Sequence, residues 1–383
     1  MRVSALTRSA LAVPLAGCGV FFVALAGCSA TNLSPPQGAA PAVRAGARAA
    51  YGMGPIVQPK LVGTILGFDI DQHGSDGVLA NYNSRSLRVS LETFDETTGK
   101  VTKVVREGAG SRGDYVVYGI VGGDVGFLYH NKYGLMNPVT GEKITGSWAP
   151  PKSFEVSQVA ENQSSSTSVM LGYDESQPSA PTEVVAADVV KGTAKVIPLD
   201  QNLFSTGGVP VIAQDSVTNQ AVIAAQNGGR YTHPVIGIID LQSGKTKTFT
   251  GLGYGDVDGI GVDTKTGVAC TTTGIDAGIE FYDLKTEKGS EVQIPNSGGS
   301  QLRSGSGVAV DSLHGLCIVA QPVSGSGTQA SAIWVVNEKG TFFEEIQGFN
   351  FWFGVGPAIN PEKRIGYVIN PRPEYGNLAG FSY

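Results

Sequence analysis

The chain of 383 residues holds little cysteine, four residues in all at positions 18, 28, 270 and 317. A small exported domain without a core of its own relies on a denser set of disulfides, so a cysteine-stapled scaffold is excluded. Charge is sparse as well, at 16% of residues. The 27 basic and 33 acidic side chains leave a net charge of −6 with no Lys/Arg cluster, which argues against a nucleic-acid partner. No unbroken apolar run is long enough for a membrane span; the one near the N-terminus is interrupted by Pro14 and Gly17. Apolar residues nowhere recur at the spacing of an amphipathic helix, and this excludes a helical fold. Catalytic signatures are missing too: there is no Gly-x-Ser-x-Gly elbow in a strand-to-helix setting and no His-Glu-x-x-His. What is plentiful is glycine, 53 residues, which marks an architecture of many tight turns.

The N-terminus has the layout of a secretory signal. Arg2 and Arg8 precede an apolar stretch from Ala10 to Ala26, which ends in Leu25-Ala26-Gly27-Cys28. Those four residues resemble the lipobox of bacterial lipoproteins. The resemblance implies cleavage before Cys28 and acylation of its thiol and amine. The same letters occur at Leu15 to Cys18, but the apolar run ahead of them is short. Removing residues 1–27 removes two arginines, so 25 basic residues face 33 acidic ones and the mature chain carries −8. Residues 28–58 are dominated by Ala, Pro and Gly and read as a lipidated cysteine on a flexible linker, leaving 59–383 as the folded domain.

That domain repeats. An apolar run, an Asp or Asn, a polar turn and a second apolar run recur at Asp215, Asp263, Asp311 and Asn360, with steps of 48, 48 and 49 residues. Weaker copies lie upstream in "LGFDIDQHGSDGVLANYN", "YGIVGGDVGFLYHN" and "SQVAENQSSSTSVMLGY". A second hairpin signal, Asp or Asn followed by a Gly-containing turn, interleaves at Asp95, Asn137, Asp188, Asp240, Asp283 and Asn337. Strand pairs in alternation give four strands per period, and four antiparallel strands repeated about seven times predict an all-β fold, a β-propeller. Seven inner hairpins face six outer ones, so a strand near Lys60 to Gly67 is expected to join the last blade and close the ring. A six-bladed ring with an irregular terminal piece is the alternative. Cys270 and Cys317 sit in strand-like runs at offsets that put them on opposite sheet faces, and two buried free thiols are expected.

The segment "VLANYNSRSLRVSLETFDETTGKV" (Val78 to Val101) is similar to the YVTN-type propeller repeat, and Gly305 to Gly340 resembles the related NHL repeat. The first motif keeps only its final Asn81. The resemblance implies the fold; such propellers include binding proteins and lactone hydrolases alike.

Propeller topology puts the inner and outer hairpin turns on one face and the remaining loops on the other. The second face collects Asn81, Tyr82 and Arg85, then His130, Lys132 and Tyr133, then Arg230, Tyr231 and His233, and Tyr254, Asp256 and Asp258. Trp352 of "FNFWFG" alternates with Phe349, Phe351 and Phe353, and is available for stacking. A binding site is expected on this face at the channel mouth, with Asn81, Tyr82, His130, Arg230, Tyr231, His233, Asp256, Asp258 and Trp352 as candidates. "DIDQHGSDG" offers Asp69, Asp71 and Asp76 as calcium ligands, but Ala80 stands where a bidentate Glu belongs. No catalytic residue, metal or cofactor is assigned. The expected function is an exported, membrane-tethered platform for an envelope protein or glycan. One rival is a metal-dependent, lactonase-like hydrolase using Asp256, Asp258 and Asn81 with His233 as base. In another, the domain only organises partners through its turn face.

Lipidation is directly testable. Metabolic labelling with a fatty-acid analogue should mark the wild type and Cys18→Ala but not Cys28→Ala; label retained in Cys28→Ala rejects the assignment.

Overall fold

A computed structural model of the chain describes residues 52–57, 63–72, 74–110, 115–121, 123–129, 132–142, 154–160, 166–174, 182–188, 191–200, 210–228, 232–273, 278–293, 307–321, 331–341, 343–349, 356–372 and 375–383. Every element among them is a strand or a turn. The first strand is β1 (Gly52–Val57). Blade one then follows as β2 (Thr64–Ile70), β3 (Asp76–Asn83), β4 (Arg88–Asp95) and β5 (Val101–Ala109). Blade two has three described strands, β6 (Tyr115–Val121), β7 (Asp124–Tyr129) and β8 (Lys132–Met136). Blade three is β9 (Phe154–Ala160), β10 (Thr167–Asp174), β11 (Glu183–Asp188) and β12 (Thr193–Pro198). Blade four is β13 (Val211–Asp215), β14 (Gln220–Ala225), β15 (Val235–Asp240) and β16 (Thr246–Thr250). Blade five is β17 (Val257–Asp263), β18 (Val268–Thr273), β19 (Gly278–Asp283) and β20 (Lys288–Gln293). Blade six is β21 (Gly307–Asp311), β22 (Leu316–Gln321), β23 (Ser331–Asn337) and β24 (Phe343–Phe349). Blade seven is β25 (Ala358–Asn360), β26 (Ile365–Arg372) and β27 (Tyr375–Ser382), completed by β1.

The innermost strands β2, β6, β9, β13, β17, β21 and β25 pack each on the next and the last on the first, so the blades form a closed propeller of seven. Burial explains their composition. A middle strand has both faces covered by neighbouring blades and reads as a continuous apolar run, as in "QAVIAA" of β14. The outermost strands face water and carry polar residues, as in "KGSEVQ" of β20. The described core divides into seven hydrophobic clusters, and each joins two neighbouring blades. Phe349, at the head of the "FNFWFG" run, is buried between blades six and seven, edge-on to Phe381 with 6.3 Å between ring centroids.

Two expectations are corrected. The strand that completes the last blade is Gly52–Val57, inside the stretch read as linker; Thr64–Gly67 instead opens blade one. Pro55 hid it, because proline reads as a strand breaker. In the structure it sits where the β1–β27 register shifts, between Met53 and Ile56, a bulge that releases it from the ladder. This closure also explains the count of hairpins. The fourth strand of blade seven comes from the other end of the chain, so that blade has no outer turn.

The second correction concerns the cysteines, which form a disulfide between β18 and β22, with the two Cα atoms 6.4 Å apart. The opposite-face placement was sound, yet it led to the wrong inference. In a ring the forward face of one blade meets the backward face of the next, and residues on opposite faces of successive blades are the ones that touch.

Removing β1 should therefore open the ring. Val57 is fully buried, and covering a valine contributes about 2 kcal/mol before its ladder bonds are counted. A chain starting at Val43 should unfold at higher denaturant than one starting at Pro59, by about 2 kcal/mol or more. Equal midpoints in chemical denaturation would reject β1 as the closing strand.

Candidate functional site

The repeated acids are turn-formers. Asp263 Oδ1 accepts the backbone N–H groups of Lys265 (2.9 Å) and Thr266 (3.3 Å), and Asp215 does the same for Val217 and Thr218. Asp311 and Asn360 each take the N–H three residues on. The fifth residue, counted from the Asp or Asn, then adopts a left-handed backbone: Asn219 (φ 56°), Gly267 (71°), Gly315 (66°) and Arg364 (53°). These side chains shape the hairpins, which accounts for their recurrence.

Inside the ring lies a channel of about 680 Å³ that all seven innermost strands line. About half of its wall is apolar, with Ile212, Ile260, Val308 and Ile359 in it, and the channel reaches Ser216, Lys265, Ser312, Leu313 and Glu362 at the turn face. Lys265 Nζ donates to the Leu313 carbonyl at 3.1 Å, and the Thr264 N–H donates to Ser312 Oγ at 3.0 Å, tying blade five to blade six across the mouth. Asp69 also lines the channel, but Oδ1 accepts from Ile70 N–H and Oδ2 from Ile120 N–H, both at 2.8 Å. It thereby links blades one and two. The N–H of Asp71 bonds the Asp76 carbonyl across the turn, as a hairpin requires. The described residues contain no group of three or more His, Cys, Asp or Glu positioned to share a metal ion.

A second polar cluster sits where blade seven meets blade one. Asn360 Nδ2 donates to the Asp71 carbonyl and to Glu96 Oε1, each at 3.0 Å, and Tyr367 donates its hydroxyl to the Glu96 carbonyl at 2.6 Å. Lys363 Nζ pairs with the Glu96 carboxylate and also reaches the Gly74 carbonyl at 2.6 Å. The Glu96 side chain is wholly buried. Burial pushes its pKa up, while the bonds from Lys363 and Asn360 pull it down.

On the opposite face the structure scatters the sequence candidates. Asn81 is fully buried in blade one, where its Nδ2 faces Glu92 Oε1 at 3.5 Å and Ser90 Oγ donates to the same oxygen at 2.6 Å. Tyr82, next to it, is half-buried. His233 stacks on Tyr254 at 4.3 Å between centroids. Its Nδ1 lies 2.7 Å from the Leu252 carbonyl and 3.0 Å from the Gly253 carbonyl, so that nitrogen carries the proton and only Nε2 is open to act as a base. Beneath them Tyr282 accepts the Leu252 N–H at 2.7 Å, and the buried Glu280 takes hydroxyl bonds from Thr271 (2.7 Å) and Thr273 (3.0 Å). Asp256 is exposed just before β17, and Asp258 is half-buried at the start of that strand in blade five. The pair thus stands on a different blade from Asn81, and on an inner strand where Asn81 lies on a second strand. His130, Arg230, Tyr231 and Trp352 lie outside the described residues. Glu96 and Glu280 were missed, since nothing in their local sequence marks a residue whose partners come from another strand or blade.

No protein-family profile matches the chain, and no curated protein matches it. Among solved structures, a chain from "Crystal Structure of Mitotic Checkpoint Complex" is similar, with a TM-score of 0.60 and 14% identity over 92% of this chain and 99% of that one. That likeness concerns the fold.

The seam cluster yields a pH-dependent expectation. Lys363→Met leaves a buried carboxylate without its cation, at about 2 kcal/mol near pH 8, given that the lysine is partly exposed. It also raises the folded pKa of Glu96 further above the ordinary 4.5. A carboxyl with a raised folded pKa contributes its full stability below the unfolded value and loses it as pH rises through the folded one. Denaturation should show a small deficit in the variant at pH 5 and a larger one at pH 8; equal deficits would mean the pair adds no charge interaction.

Proposed function

We propose that this protein is an exported, lipid-anchored propeller of the YVTN/NHL type that serves as a rigid docking platform for a protein or glycan of the cell envelope. The observation that carries the reading is the disulfide between Cys270 and Cys317, since structural disulfides persist in oxidising compartments outside the cytoplasm. It agrees with the secretory signal and the cysteine at position 28. The closed ring supplies the rigidity. Its blades are joined by seven apolar clusters and by lysines that reach the turns of neighbouring blades, including Lys195 to the Gln242 carbonyl at 2.6 Å. A scaffold of this kind holds its loops in fixed relation without moving parts. A similar fold occurs in a structure titled as a checkpoint complex, which shows that a propeller can sit within an assembly. The His233–Tyr254 pair offers a polar edge and an aromatic face suited to a sugar ring or a partner side chain.

The experiment combines redox state with turnover. Protein recovered from the envelope fraction should yield one disulfide-linked peptide pair containing Cys270 and Cys317. A glycan array and envelope-directed crosslinking should then give a signal that falls at least tenfold in His233→Ala/Tyr254→Ala. Enzyme-like turnover of a lactone panel with added calcium or manganese, lost in Asp256→Ala/Asp258→Ala, would replace the platform with a hydrolase.

A further inference from the structure

We propose that the β3–β4 hairpin tip on the loop face of blade one, residues 84–88, is a docking knob for an acidic peptide segment of a partner protein, with Leu87 as its apolar anchor and Arg85 as its charge. The hairpin uses the turn chemistry found elsewhere in the ring. Asn83 Oδ1 accepts the backbone N–H groups of Arg85 (2.9 Å) and Ser86 (3.2 Å), and the fifth residue, Leu87, takes a left-handed backbone (φ 51°). In other turns the fifth position holds residues suited to that backbone: Gly99, Gly141, Gly192, Gly244, Gly267, Gly315 and Asn219. Glu287 and Arg364 depart from the rule, and each has a contact that accounts for its side chain. Glu287 pairs with Lys247 of blade four, and Arg364 lies over the Tyr383 ring at 5.8 Å. Leu87 departs as well, yet its side chain is 60% exposed. A branched side chain strains a left-handed backbone, and one left mostly in water recovers little of that cost by packing. Glycine would remove the strain, so the leucine is accounted for by a partner that covers it.

The surroundings define that partner. Residues 84–88 are all exposed, so the tip is accessible along its whole length. The Arg85 guanidinium has no hydrogen-bond or ion-pair partner among the described residues. The other exposed charges toward the loop-side ends of β4 and β5 are Arg88, Arg106 and Glu107. Glu107 pairs with Arg88 at 2.8 Å, which leaves Arg85 and Arg106 in excess. On a chain with a net charge of −6, this end of blade one is locally basic. Carboxylates are the complement of free guanidinium groups. Half-buried Tyr82, paired with Val89 one step into the hairpin, adds aromatic surface beside the tip. Arg and Tyr are enriched at protein interfaces. A sugar, hydroxylated on most of its ring, offers Leu87 little apolar surface. An extended segment with Asp or Glu flanking a large apolar residue answers both the charge and the leucine.

The knob rests on the docking reading and names a partner class for it, but it depends neither on export nor on the His233–Tyr254 edge. The test pans a displayed library of short random peptides against the intact chain and measures selected peptides by fluorescence anisotropy. Selected sequences should share Asp or Glu around a large apolar residue and bind more weakly as salt rises. Leu87→Gly and Arg85→Glu should each weaken them about tenfold, and His233→Ala/Tyr254→Ala should leave their affinity unchanged. Leu87→Gly should also melt at or above the wild-type temperature, because glycine accepts the left-handed backbone. A selected pool without acidic residues would overturn the proposal. So would a Leu87→Gly variant that melts lower, since the side chain would then be structural. Peptides lost in His233→Ala/Tyr254→Ala but retained in Leu87→Gly would overturn the knob and leave the docking reading standing.

Discussion

Pairing of β1 with β27 is the contact on which the rest of the ring depends. A blade buries both faces only with a neighbour on each side, and an open row of seven would leave two apolar faces in water. The closing strand places Val57 in the cluster between the last blade and the first, beside Phe68, Phe94 and Tyr367. Glu96, Asn360, Lys363 and Tyr367 then add a polar clasp at the same seam. Six of the seven blades are made of strands consecutive in the chain and can assemble locally, whereas this one closes a loop spanning nearly the whole described chain. Loop-closure entropy therefore falls chiefly on the seam, and the seam is where covalent help is absent. The disulfide ties two blades that are already sequence neighbours.

The turn face is a connected polar mesh. The inner hairpins of blades four to seven are each shaped by a buried Asp or Asn, and lysines extend from one blade to backbone carbonyls in the turns of another: Lys103 to Val139, Lys265 to Leu313 and Lys363 to Gly74. An ammonium group suits this purpose because it donates in three directions and needs no fixed geometry from its acceptor. The mesh explains how a fold without helices among its described residues holds its channel mouth in shape. It also leaves the mouth only a few polar groups that are free to meet a ligand.

The architecture was readable because hairpin turns are local. An Asp at the first position and a left-handed residue at the fifth lie within five consecutive residues, so the chemistry that bends the chain is visible in the string itself. The same logic failed at Pro55, where a local rule about strands gave way to a bulge stabilised by a distant partner. It failed for the cysteines because facing between blades is a property of the ring. The candidates on the loop face were chosen by residue type, and type does not report burial. Asn81 illustrates this, for its side chain is enclosed with Glu92 and Ser90.

By itself the sequence determined the strand period, the turn chemistry and a propeller of about seven blades, since each is encoded in residues close together along the chain. Tertiary structure alone decided which strand closes the ring, which cysteines bond, and which polar groups end up buried with or without a partner. Those outcomes depend on contacts across blades, where the residues that meet are about one repeat apart, or at the seam nearly the whole domain apart.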